Sequence, residues 1–166
     1  MLPDSLSRNI KLLEEFSELC QHACQTMLSS LSEILTPNEA DRYEKHHRNE
    51  DQSDSGLKLI YEPSLEKVSD VGENKHTDSG TLTLTFCDQL GLHVENPETK
   101  KWAFIAPKNG CVLVNVADSL QRLSGGLVHA PLHRVTQPFD GFSKRYFLAY
   151  FLRPSHKLKA TWQHSN

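Results

Sequence analysis

Three stretches of the chain carry side chains able to do chemistry. NKHTDSGTLTLTFCD (74–88) places His76 and Asp78 one residue apart at the mouth of an apolar strand. GGLVHAPLHRV (125–135) holds His129 and His133, and KRYFLAYFLRP (144–154) carries Arg145 near its start. In a strand, side chains two apart share a face, so an imidazole and a carboxylate project together from 76 and 78 if the strand begins there. Such a pair can hold a divalent metal from two adjacent corners. The third ligand must come from another strand, and His129 and His133, four residues apart, both qualify; geometry alone does not choose. Two histidines and one carboxylate on one triangular face leave up to three positions open, which suits non-haem Fe(II), because substrate and dioxygen need vacancies. A structural zinc site would close its shell with four ligands, usually including cysteine, and Cys87 and Cys111 lie outside this pattern. A lone H-x-D recurs by chance; here it is followed in order by sheet, a distal histidine and an arginine on the last strand.

The elements that must position these residues are legible as changes of period. Residues 8–35 read as one amphipathic helix, with Ile10, Leu13, Phe16, Cys20, Cys24, Met27, Leu31 and Leu35 spaced three and four apart. Ser7 is its expected cap and Pro37 its stop. Residues 36–56 are polar, predicting a short second helix and a loop. From 57 onward the pattern is that of strands: LKLIYEP, TLTLTF, GLHVEN, KWAFIAP, CVLVNVAD, PLHRVTQP and KRYFLAYFLRP, with turn residues between them, Asp140-Gly141 among these. Seven short strands without interposed helices predict an antiparallel sandwich or barrel such as a jelly roll. The fold class is mainly β with a leading α-helix. The expected organisation is a helical lead-in and polar loop over 1–56, a metal-binding core over 57–154 and a tail over 155–166. Leu82, Leu84, Leu92 and Phe151 face inward on this reading, as core or as pocket wall.

Composition narrows the function. The chain has 166 residues, which suits one domain, 37% of them hydrophobic, with net charge −3. That charge gives no electrostatic case for nucleic acid. No basic run marks a membrane surface, and no apolar stretch reaches the roughly 18 residues of a spanning helix. The start MLPDSLSRNIKLLEEF lacks the pattern of a secretion signal. The four cysteines form no C-x-x-C pair, so free thiols in a reducing cytoplasm are expected.

From LKLIYEP to FLRP the sequence resembles the isopenicillin N synthase-like branch of the Fe(II)/2-oxoglutarate oxygenases, most of all fungal members of small-molecule metabolism. KHTDSGTLTLTF, DQLGLHVENPETKKWAFIAPKNGCVLVNVADSLQRLSGGLVHAPLHRV and KRYFLAYFLRP carry the resemblance over about 100 of the 166 residues. It implies a double-stranded β-helix core and a metal triad of His76, Asp78 and His133. His133 is preferred because it is followed by Arg-Val and lies 133 − 78 = 55 residues after Asp78. It also implies that Arg145 binds the far carboxylate of 2-oxoglutarate, through the planar fork a guanidinium offers, with Tyr61 in support. The implied activity is oxidation of a small-molecule substrate with Fe(II), 2-oxoglutarate and dioxygen, releasing succinate.

Two departures from the family pattern bear on this. Phe147 stands where the family has a serine, removing one hydrogen bond worth about 1 kcal/mol or more to a charged group and placing a ring where the co-substrate tail would lie. Relatives also carry a long segment ahead of the helix, so a homodimer or a partner chain covering the missing layer is expected. The alternatives are a degenerate member that keeps a metal or small-molecule pocket for a non-redox rearrangement or for binding alone, and a non-catalytic interaction subunit. His46-His47 is read as a solvated polar face, Asp118 as structural, and Trp102 and Trp162 as packing or interface residues.

Overall fold

In a computed structural model of the chain, the change of period at residue 57 coincides with a boundary. Residues 57–153 form one unit, and residues 1–56 with 154–166 form another. The structure describes residues 3–36, 38–63, 74–136, 142 and 144–163; the expected helix stop at Pro37 and the turn at Asp140-Gly141 lie outside them.

The helical unit begins with a single turn, α1 (Asp4–Ser7), and then α2 (Ile10–Leu35). The one expected helix is therefore interrupted at 8–9, and Ser7 does not cap α2: its hydroxyl donates to Pro3 O. The buried stripe of α2 runs Cys20, Cys24, Leu28, Ser32, a strict i+4 row that replaces Met27 and Leu31 at its centre. A serine can occupy this row because both its capacities are used. Ser32 Oγ donates to Glu44 Oε2 at 2.8 Å and accepts from Tyr43 N at 2.8 Å. Instead of a second helix there are two 3₁₀ turns, Glu39–Asp41 and Tyr43–His46. His47, just beyond, is buried with Nδ1 on Tyr43 O. The expected tail is a helix, labelled α4 below (His156–Gln163). It is held by pairs distant in sequence: His156 and Lys159 with Asp54, and Lys157 with Asp51.

The β unit contains all seven expected strands: β1 (Gly56–Pro63), β2 (Leu82–Phe86), β3 (Leu92–Glu95), β4 (Trp102–Phe104), β5 (Leu113–Val116), β6 (His133–Val135) and β7 (Lys144–Leu152). They form a four-stranded sheet in the order β1-β7-β2-β5 and a three-stranded sheet in the order β4-β3-β6. The pairings of β2 and of β3 are antiparallel, and strands distant in sequence lie side by side, as a jelly roll requires. A six-residue helix, α3 (Asp118–Leu123), interrupts the strand series after β5. Along β7 the odd-numbered residues from Phe147 to Phe151 face a cavity between the sheets, while Tyr146 lies exposed on the other face. Among the described residues no helix is long and apolar enough to cross a membrane, and all four cysteines are free thiols.

Candidate metal centre

His76 and His133 are brought together by the backbone before their side chains are considered. They form an isolated antiparallel bridge, in which each amide donates to the other's carbonyl at 2.9 Å. The two rings stand with centroids 4.6 Å apart. Asp78 completes the group: its Oδ1 lies 3.7 Å from His76 Nε2 and 3.6 Å from His133 Nε2. One donor atom from each residue lies within 4.8 Å of the others, a spacing one cation can bridge. Asp78 and His133 are buried and His76 is exposed, so the centre is open on one side. His129 is exposed and stands outside the trio.

A surrounding set of hydrogen bonds orients the donors. His76 Nδ1 lies 2.7 Å from Asn74 O, and His133 Nδ1 lies 3.1 Å from Pro131 O. A carbonyl can only accept, so Nδ1 carries the proton in both rings and the Nε2 lone pairs point to the shared space. Asn115 Nδ2 donates to Asp78 Oδ2 at 3.0 Å, leaving Oδ1 for the histidines. The His-Thr-Asp segment is tied down from α3: Asp118 N donates to Asp78 O, and Thr77 Oγ1 donates to Asp118 Oδ2. Asp118 is thus structural, but its carboxylate holds the metal segment; the N-cap of α3 is Ala117. Two imidazoles and a carboxylate, one side open, fit a divalent ion of the Fe(II) or Mn(II) type.

The trio opens on a cavity of about 390 Å³ between the sheets, within the usual range for small-molecule sites. Leu92 and Val135 line it from the smaller sheet, and Ile60, Phe147, Ala149 and Phe151 from the larger. Leu82 and Leu84 do not line it; Thr83 and Thr85 do. The chain bends at Ser79, Gly80 and Thr81 before β2 begins. The even-numbered face that carries His76 and Asp78 therefore does not continue into the strand. Thr83 was not singled out from sequence. Its signal is the alternation of TLTLTF, once that bend is known.

The two residues expected to hold a carboxylate are not at the cavity. Tyr61 lies on the outer face of β1, 51% exposed, with its ring 5.3 Å from that of Tyr146. The inward residues of β1 are Lys58 and Ile60. Arg145 is fully buried and donates from Nε to Leu90 O at 2.7 Å and from Nη1 to Phe142 O at 3.2 Å. It does not line the cavity, whereas Phe147, two residues along the same face, does. The Phe147 ring sits over Gly91, where an added Cβ would stand 2.5 Å from Cζ. Trp102 packs under the Arg134 guanidinium at 4.5 Å.

Residues 39–154 match the 2OG-Fe(II) oxygenase superfamily. The chain belongs to this superfamily. It is 38% identical over 157 residues to a 2-oxoglutarate-dependent dioxygenase of Gibberella zeae, covering 93% of this chain and 47% of that one. It is 36% identical to a 2-oxoglutarate-dependent dioxygenase of Amanita muscaria, covering 92% of this chain and 76% of the relative. Its structure matches that of a full-length Neurospora crassa protein crystallised in complex with alpha-KG, with a TM-score of 0.76 at 25% identity over 93% of this chain and 49% of the other. The chain thus spans about half the length of the Gibberella and Neurospora proteins. The antiparallel β core with its leading helix is shared with that solved structure.

Proposed function

We propose that the chain is the metal-binding core of an Fe(II)- and 2-oxoglutarate-dependent oxygenase of the isopenicillin N synthase-like branch, oxidising a small, natural-product-like molecule. One observation carries the reading: His76 Nε2, His133 Nε2 and Asp78 Oδ1 converge at a cavity lined by both polar and apolar side chains. Bound Fe(II) with 2-oxoglutarate supplies oxidising power drawn from dioxygen. His76, Asp78 and His133 would hold the ion. Asn74 O and Pro131 O fix the tautomers of the two histidines, and Asn115 fixes the rotation of the carboxylate. The cavity volume limits the substrate to a small molecule.

Exposing anaerobically Fe(II)-loaded protein to air with 2-oxoglutarate tests the reading. Succinate should form, and His133→Ala should abolish it; intact protein that binds Fe(II) and yields no succinate with any substrate refutes oxygenase turnover. The position of Phe147 favours a second reading, a member that keeps the metal and performs a non-redox rearrangement or binding. That reading predicts metal uptake without succinate. Self-association in the cytoplasm belongs to the same proposal. Its support is the exposure of Leu12, Leu19 and Ile34 on α2, at 64%, 68% and 79%. A monomer by light scattering at micromolar concentration overturns it.

A further inference from the structure

Resting on the metal-centre reading, we propose that the metal cavity carries a carboxylate-binding subsite made by Thr83 and Arg153, apart from the one expected at Arg145. Three observations support it. Thr83 is 3% exposed, lines the cavity, and its hydroxyl has no hydrogen-bond partner among the described residues. A buried hydroxyl left unpaired is costly, and native proteins keep few of them; a ligand in the cavity would satisfy it. Thr83 is also next to the metal donors, since its cross-strand partner is Asn115, which holds Asp78.

Two cations line the cavity. Arg153 lines it, with the guanidinium 4.9 Å over the Phe151 ring and the side-chain stem beside Gly80. Phe151, the ring under the guanidinium, is the other cross-strand partner of Thr83. Lys58 adds a second positive charge to the lining. Phe147 lines the cavity, whereas the buried Arg145 does not. A planar guanidinium with a neighbouring hydroxyl recognises a carboxylate. That carboxylate is either the far end of 2-oxoglutarate or an acid group on the molecule oxidised.

The test uses the full chain loaded with Mn(II) and followed by calorimetry. In one titration 2-oxoglutarate is compared with 2-oxobutyrate, which has the same chelating head and no far carboxylate. In another, succinate is added to the protein already carrying Mn(II) and 2-oxobutyrate. The wild type should favour the carboxylate in at least one titration. Thr83→Val and Arg153→Gln should each reduce that preference at least tenfold, Thr83→Ser should restore it, and Mn(II) affinity should stay unchanged. Loss in the 2-oxoglutarate comparison assigns the subsite to the co-substrate, and loss in the succinate titration to the substrate. The proposal is overturned if neither titration shows a preference, or if both variants bind every acid as the wild type does. A wild type that takes up no Mn(II) refutes the metal reading separately. In that case succinate alone must shift the amide resonances around Thr83 and Arg153, and unshifted resonances overturn the subsite too.

Discussion

Replacing Asn115 with alanine tests whether the hydrogen bonds around the trio set its affinity for metal. The Asn115 side chain makes one contact that matters here, its 3.0 Å hydrogen bond to Asp78 Oδ2. Without it the carboxylate can rotate about its terminal torsion, and Oδ1 loses its place 3.6–3.7 Å from both Nε2 atoms. A hydrogen bond to a charged acceptor contributes about 1.5–3 kcal/mol. Loss of such an outer partner lowers metal affinity by about 10–100-fold, equivalent to about 1.4–2.8 kcal/mol. The two ranges agree, so a Kd for Mn(II) raised about 10–100-fold is expected. Titration calorimetry at fixed pH reads it, with circular dichroism confirming that the variant is folded. The control is the same change in an Asp78→Ala background, where it should have little further effect. A folded Asn115→Ala protein with a Kd within twofold of wild type would refute the orienting role.

Saturating Mn(II) at about 100 times its Kd should stabilise the chain by about 2.7 kcal/mol; scanning fluorimetry should show the rise in Tm, and His133→Ala should erase it. Burial holds the His47 imidazole at a pKa of about 4, below its ordinary 6.5. The folded state therefore binds this proton less readily than the unfolded chain. Its contribution is complete above about pH 6.5 and declines as pH falls toward 4, by about 3 kcal/mol in all. Urea titrations at pH 7 and pH 4.5 should register this loss, and His47→Gln should flatten it. Gly91→Ala drives a methyl into Phe147 and should cost about 1–3 kcal/mol by overpacking. Phe147→Ala in the same chain should recover part of that cost, and additive thermal shifts would show that the two residues do not touch.

The strands were legible because their pattern is local: seven short runs, alternating as in TLTLTF or nearly continuously apolar as in CVLVNV, became seven strands. The identity of the third histidine was not, since His129 and His133 satisfy the same spacing rule and only resemblance separated them. The misplaced faces share one cause. Each was read by carrying a periodicity past a point where the chain turns or where a polar residue finds partners. Leu82 and Leu84 are core, as one of the two readings has it, but the bend at 79–81 puts Thr83 and Thr85 rather than them on the cavity wall. Ser32 was excluded from the helix stripe because its acceptor and donor lie on another segment, at Tyr43 and Glu44. The order of the last helix was hidden for the same reason, since Asp51 and Asp54 are about a hundred residues from the lysines they meet. Tyr61 was placed inward by analogy, yet β1 turns Lys58 and Ile60 inward and Tyr61 out.

The reciprocal amide bonds between His76 and His133 mean that the distance between these rings is written in main-chain geometry, which no side-chain exchange in the cavity wall can edit. Ile60, Leu92, Val135 and Phe151 take no part in those bonds, so exchanging their side chains leaves intact the clasp that would grip the cation.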